Sequence, residues 1–226
     1  MQLAIDTSTE YACLAIVNQS QVLAEYTWLC GQNHTTELYP RLNLILEKSG
    51  QDLKSADCIY VARGPGSFNG LRVGVSAAKG LAFSLGIPII GISTLSYTAY
   101  QHSEAGLPVC AIQKAGREEF AAAIYKYKRK KWSEVIGEHI TTLEALASKI
   151  KDTTIFCGEY SAETALQIKK LLKTKSIILS PAGQMRRAAY LAELGFQRLL
   201  VKDFDNLSSL QPLYLRRPPI TERKKA

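Results

Sequence analysis

An α/β protein built from a duplicated unit is what this sequence predicts, and two observations predict it. Three short apolar strands open the chain as a meander and are followed by alternating helix and strand patterns. The same order, with weaker patterning, begins again after Gly106-Leu107-Pro108. At 226 residues the chain is long enough for one large domain or two small lobes. Its 46% hydrophobic and 21% charged residues are ordinary globular values, which argues against disorder.

The elements follow in order. Leu3-Ala4-Ile5, Ala12 to Val17 and Val22 to Leu29 read as antiparallel strands joined by polar turns at Asp6–Glu10 and Asn18–Gln21. Leu38, Leu42, Ile45 and Leu46 place an apolar face on a helix from about Thr36 to Ser49, which Gly50 stops. Cys58 to Ala62 is the next strand. A glycine-rich turn follows, then a helix to Leu85, a strand over Ile87–Ile92, and a helix over Thr94–Glu104. In the second half, Val109–Ile112, Glu119–Tyr127 and Trp132–Gly137 echo the opening meander. Helices are expected at Thr142–Lys151, Ala162–Lys173 and Gln184–Gly195, with strands at Ile155–Cys157 and Ile177–Leu179. From Gln211 onward the Pro- and Arg/Lys-rich tail is expected to be extended or frayed. Each repeat looks like a ribonuclease-H-like lobe, and two such lobes make the actin-like ATPase superfold. The expected division is a first lobe over 1–107, a divergent second lobe over 108–211, and a basic tail over 212–226.

Composition narrows the class. The N-terminus lacks a basic stretch followed by a long apolar run, and no apolar run reaches the length of a membrane span, so a cytoplasmic protein is expected. Five scattered cysteines without C-x-x-C spacing read as buried, reduced thiols rather than disulfides or a zinc site. The net charge of +8 is uneven: residues 1–107 carry six basic and eight acidic side chains, and the rest carry 22 and 12. A positive second half suits nucleic acid or an acidic partner, and equally a solvated surface.

Several clusters could carry chemistry. Asp6, Thr7 and Ser8 sit on the first hairpin, where ATPases of this superfold hold phosphate, but this hairpin has no glycine to let an anion close to the backbone. Turn capping is the competing reading. Gly64 to Gly70 precedes a helix, so Gly66 and Ser67 could meet an anion; no Lys-Ser/Thr follows, so it is no Walker loop. The helix beyond it carries Gly70, Gly74 and Ala78 in one stripe, flanked by Ala77 and Ala82. Gly74 and Gly80 in its interior each cost about 0.8–1 kcal/mol relative to alanine. A compensating close approach is expected, by an element of this chain or by a second chain. His34 opens a helix with Leu38 one turn on, so no metal pair forms there. A hydrolase triad finds no motif. Basic and aromatic residues interleave from Lys126 to Trp132, making Lys128, Arg129 and Lys130, with Arg216 and Arg217 in the tail, candidate RNA contacts. A solvated hairpin tip is the alternative.

Together these residues resemble the bacterial TsaB (YeaZ) family. The likeness rests on Leu3–Thr9, His34-Thr35, the run Ala62–Gly74, Ala78–Ala82, Ile87–Leu95 and Pro212–Arg216. It covers about residues 1–100 and the short tail specifically, and the middle only loosely. Asn69 departs from the family's usual Thr. Gln113-Lys114-Ala115 departs from its Asp-Ala-Arg run, while Glu118 and Phe120 still fit.

The resemblance implies a non-catalytic subunit of the machinery that forms N6-threonylcarbamoyladenosine beside the tRNA anticodon. It implies pairing with a catalytic, metal-holding TsaD-like paralogue, support from a TsaE-like ATPase, and tRNA reached through the complex. A homodimer is the alternative pairing when the chain is alone. On that basis His34, Glu37, Gly70, Gly74, Ala77 and Ala78 are the expected partner-facing residues. No cofactor is required by the chain itself; ATP or ADP at the partner interface is the candidate ligand, with Asp6, Ser8, Gly66 and Ser67 as contacts. The competing expectations are a stand-alone ATPase, kinase or glycoprotease-like metallopeptidase, and a stand-alone nucleic-acid-binding module.

Overall fold

The structure is a computed structural model and describes residues 1–19, 21–128 and 131–216. Strands β1 (Gln2–Asp6), β2 (Tyr11–Val17) and β3 (Val22–Leu29) form the first meander. Helix α1 (His34–Ser49), β4 (Cys58–Gly64), α2 (Phe68–Leu85), β5 (Ile89–Ser93) and α3 (Thr94–Tyr100) complete the first unit. The second unit runs β6 (Val109–Lys114), β7 (Phe120–Lys128), β8 (Lys131–Thr141), α4 (Leu143–Ala147), β9 (Thr154–Glu159), α5 (Ala162–Leu172) and β10 (Ser176–Ile178). Two helices close it, α6 (Pro181–Gln184) and α7 (Ala188–Leu200).

The duplication is complete at the level of topology. One sheet has the order β3-β2-β1-β4-β5, and the other, read from its opposite edge, has β8-β7-β6-β9-β10. In both, the meander is antiparallel and the remaining strands are parallel to the first. Period-2 alternation gives each sheet two faces. Leu3, Ile5, Leu14, Ile16, Ile59 and Val61 pack under α1 and α2. The other face carries the smaller Ala4, Cys13, Ala15, Cys58 and Ala62, and there α7 lies close through Ala188, Leu191 and Ala192. Gly195 of α7 is needed at that contact, because a methyl group there would overlap the Tyr60 ring. Gly50 and Gly86 take left-handed conformations that end α1 and α2.

The two units exchange their last helices. Leu95 and Ala99 of α3 belong to the core of the second sheet. The α7 helix packs on the first. The expected second segment, 108–211, therefore includes a helix whose apolar face serves the first lobe. Helix α7 also begins later than the expected Gln184: Met185–Arg187 is extended, because Ser180 caps a separate short helix that has Pro181 at its first position.

The described part of the tail, as far as Arg216, forms no helix or strand and is pinned to the body, and residues 217–226 of the expected tail lie outside the described residues. Leu210 is buried in the first core, Leu213 N donates to Arg63 O across 2.6 Å, and Leu215 packs on the second core. The Tyr214 and Phe68 rings lie 5.1 Å apart. All five cysteines are buried, and burial pushes the Cys58 thiol up to about 12, so it stays protonated. Among the described residues, no helix is long and apolar enough to cross a membrane.

Candidate functional site

The first hairpin is where sequence reasoning placed a candidate ligand contact. The structure shows its polar groups already engaged. Asp6, at the end of β1, is fully buried, and its Oδ1 accepts a bond from Ser8 N at 2.7 Å. Ser8 O accepts from Ser67 N at 2.6 Å. Thr7 Oγ1 donates to Gly70 O at 2.7 Å. The buried His34 lies with Nε2 2.7 Å from Thr9 O; since a carbonyl only accepts, this nitrogen carries the proton. Helices α1 and α2 thus clasp the hairpin by their N-terminal ends.

This clasp explains the glycines. A methyl group on Gly66 would overlap Ser8 O, one on Gly70 would overlap Thr7 O, and one on Gly74 would overlap Thr7 Oγ1. The stripe Gly70, Gly74, Ala78 has two expected targets, an element of this chain or a second chain. It is the hairpin of the same chain that Gly70 and Gly74 admit, while Ala77 and Ala78 are buried in the first core. Of the expected partner-facing set, His34 is likewise buried. Only Glu37 is part-exposed, pairing with Arg41 at 3.7 Å.

The element that sequence reasoning missed is Arg186. It lies in the extended link before α7, with its side chain only 3% exposed, and enters the hairpin from the second unit. Its Nε is 3.3 Å from Asp6 Oδ2, too poorly aligned for a hydrogen bond, so this pair is Coulombic. One terminal nitrogen donates to Ser8 Oγ at 3.2 Å. The other donates to Thr9 Oγ1 at 2.6 Å and Tyr11 O at 2.9 Å, and lies 3.3 Å from Glu159 Oε1 at the end of β9. Thr9 Oγ1 also bonds Glu159, and Tyr97 O–H donates to Asp6 Oδ2.

Burial works against the Arg186 charge, but the carboxylates of Asp6 and Glu159 beside it hold the guanidinium above its ordinary value. Burial first, and then Asp6, push the Tyr97 hydroxyl well up against the opposing pull of Arg186, so Tyr97 stays a donor. One signal in the sequence pointed this way. Two arginines at the expected start of a helix oppose its dipole, so Arg186-Arg187 fits poorly as a first turn.

Chemically, the site is a closed ion-pair lock between the two units. Asp6 and Ser8, the expected nucleotide contacts, face Arg186. Gly66 is packed on Ser8, and exposed Ser67 caps α2 through Gly70 N at 3.3 Å. No group of three or more His, Cys, Asp or Glu that could hold a metal occurs among the described residues. Of the expected RNA contacts, Lys128 and Arg216 are exposed, and Arg216 pairs with Glu119. Arg129, Lys130 and Arg217 lie outside the described residues. The aromatic members of that run are engaged elsewhere: the Trp132 ring lies 5.3 Å from Tyr127, 5.6 Å from Tyr100 and 5.7 Å from Tyr125.

The comparisons with known proteins agree with this architecture. The family model described as TsaD, tRNA N6-adenosine threonylcarbamoyltransferase, matches residues 21–219. The tRNA threonylcarbamoyladenosine biosynthesis protein TsaB of Bacillus subtilis is 30% identical over 95% of this chain and 93% of its own. The TsaB of Haemophilus influenzae is also 30% identical, over 95% and 92%.

The chain belongs to the TsaB family.

YeaZ from Pseudomonas aeruginosa shares its fold, with a TM-score of 0.80 over 95% of this chain and 99% of that one, at 22% identity. Within this TsaB-family chain, the two departures noted in the sequence fall in different settings. Asn69 is exposed on the first turn of α2, whereas Gln113 lies in β6 with a buried, unpartnered Oε1. Phe120 is a core residue of the second sheet, and Glu118 is exposed.

Proposed function

We propose that this chain is a non-catalytic subunit of the assembly that forms N6-threonylcarbamoyladenosine on tRNA. It pairs there with a TsaD-like catalytic paralogue, supported by a TsaE-like ATPase, and meets tRNA through the complex in the cytoplasm. The family places it in that biosynthesis. The observation that carries the non-catalytic role is Arg186: it takes up the hydroxyls and the carboxylate of the hairpin that would otherwise face a phosphate or metal. A side chain held by so many charged and polar partners is not displaced cheaply, since breaking a buried pair typically costs about 3–5 kcal/mol.

The partner surface is the outer face of α1 and α2, rather than the small stripe. Tyr39 and Phe68 are exposed there, beside a groove of about 440 Å³ lined by Thr35, Tyr39, Arg72 and Val73. The same face would serve a homodimer when the chain is alone, and any ATP or ADP would sit at the partner junction rather than in the first hairpin.

The test is reconstitution of tRNA modification with and without this chain, alongside nucleotide hydrolysis by the chain alone. The expected result is modification only with the chain present and no turnover in isolation. Hydrolysis by the isolated chain that disappears on Asp6→Ala would overturn the reading.

A further inference from the structure

A cavity of about 500 Å³ opens between the two units, lined by the ends of β4 and β5, the strand β8 and helix α7. No residue of either hairpin turn, Thr7–Glu10 or Ala115–Glu119, lines it. It is therefore separate from the Arg186 lock.

Two of the residues that line it, Arg63 and Trp132, each carry a buried hydrogen-bond donor with no acceptor among the described residues, Nε and Nε1 respectively. A native protein seldom leaves such groups unmatched, because an unsatisfied buried donor destabilises the fold. Both atoms can only donate, so what completes them must accept. The surrounding charge has the matching sign. Neither the Arg63 nor the Lys131 side chain has a hydrogen bond or ion pair among the described residues, and Lys131 is exposed at the cavity mouth. Arg198, also on the wall, is already taken by Asp203 at 2.7 Å and Asp205 at 3.2 Å.

The acids nearby do not fill the role. Glu138 does not line the cavity; it accepts from Ser93 Oγ and from Tyr125 O–H at 3.2 Å, and burial pushes its carboxyl up against the opposing pull of those two bonds and of the Arg63 charge. Glu134 is on the exposed rim, where water screens it.

We infer that this cavity binds a small oxyanion, the carboxylate or phosphate group of a metabolite, through the Arg63 guanidinium and the Trp132 indole N–H, with Lys131 closing over it. Arg63 presents a planar fork suited to two oxygens, and the indole supplies a third donor from the second unit. Binding would add a bridge between the two units where, among the described residues, Arg63 acts on Glu138 of β8 through charge but forms no salt bridge with that strand.

Calorimetric titration of the full chain with inorganic phosphate and, separately, with malonate, at constant ionic strength, tests this directly. The expected result is saturable one-to-one binding of at least one probe. Arg63→Gln should weaken it about tenfold or more, and Lys131→Gln measurably, while Lys170→Gln on the outer face of α5 leaves it unchanged. Tighter phosphate binding assigns a phosphoryl ligand, and tighter malonate binding assigns a carboxylate. Absence of saturable binding of both probes overturns the inference. So does binding that falls equally in Arg63→Gln and Lys170→Gln, which would reflect the general basic surface. If Arg63→Gln does not fold, the exposed Lys131→Gln decides: unchanged binding in that variant overturns the site.

Discussion

The β1–β2 and β6–β7 hairpins hold the same place in the same strand order, yet one is enclosed and the other open. The first is gripped by His34 of α1, Gly70 of α2, Ser67 and, across the lobes, Arg186. The second closes on itself through Ala115 N to Glu119 O at 2.8 Å, leaves Arg117 and Glu118 exposed, and is touched from afar by Arg216.

The helices that follow account for the difference. Helix α1 has 16 residues where its counterpart α4 has five, and α2 has glycines at the hairpin where α5 has none. A duplicated topology therefore does not duplicate a site. The backbone order sets where a hairpin falls, and the length and smallness of its flanking helices decide whether it is gripped.

The two arginines put the sharpest edge on this comparison. Arg186→Ala would leave Asp6 buried with its cation gone, along with three hydrogen bonds from the guanidinium. The expected loss is about 3–5 kcal/mol of stability, measured by urea denaturation. A loss below about 1 kcal/mol would mean that the lock contributes little, and that the enclosed hairpin is held by α1 and α2 alone.

Glycines in α2 give the next contrast. Gly74→Leu forces a side chain into Thr7, and overpacking of this kind costs about 1–3 kcal/mol. Gly80, in the same helix, has nothing within 4 Å of where its Cβ would lie, so Gly80→Ala is expected to gain about 0.8–1 kcal/mol. Thermal melts of both variants check the pair. If Gly74→Leu keeps wild-type stability and loses only association, the stripe serves a second chain after all.

What the sequence made legible follows from these cases. Period-2 strands and the glycine stops at Gly50 and Gly86 are local signals, so both sheets and most helices could be read from them. The stripe in α2 announced a close approach but not its target, because Thr7 is brought there only by the fold. Interleaved Tyr127 and Trp132 suggested base stacking, whereas their rings pack on Tyr100 between the lobes. Arg186 was hardest to see. Its partner Ser8 lies 178 residues away, and a pairing that distant leaves no periodicity behind. The last-helix exchange was hidden for the same reason, since an apolar face does not name the sheet it covers.

The smallest effect is expected at Arg216, and it bears directly on the open hairpin. Its side chain is 54% exposed and that of Glu119 is 38% exposed, so the pair is solvated and screened by salt. Arg216→Ala should cost no more than about 1 kcal/mol, and less as ionic strength rises. The same denaturation series used for Arg186→Ala measures it, at low and high salt. Equal losses at the two arginines would mean that the second hairpin is as firmly held as the first. A small, salt-sensitive loss at Arg216, beside a large and salt-insensitive one at Arg186, would place the rigidity between the lobes at the first hairpin and leave the second free to be shaped by contact with another molecule.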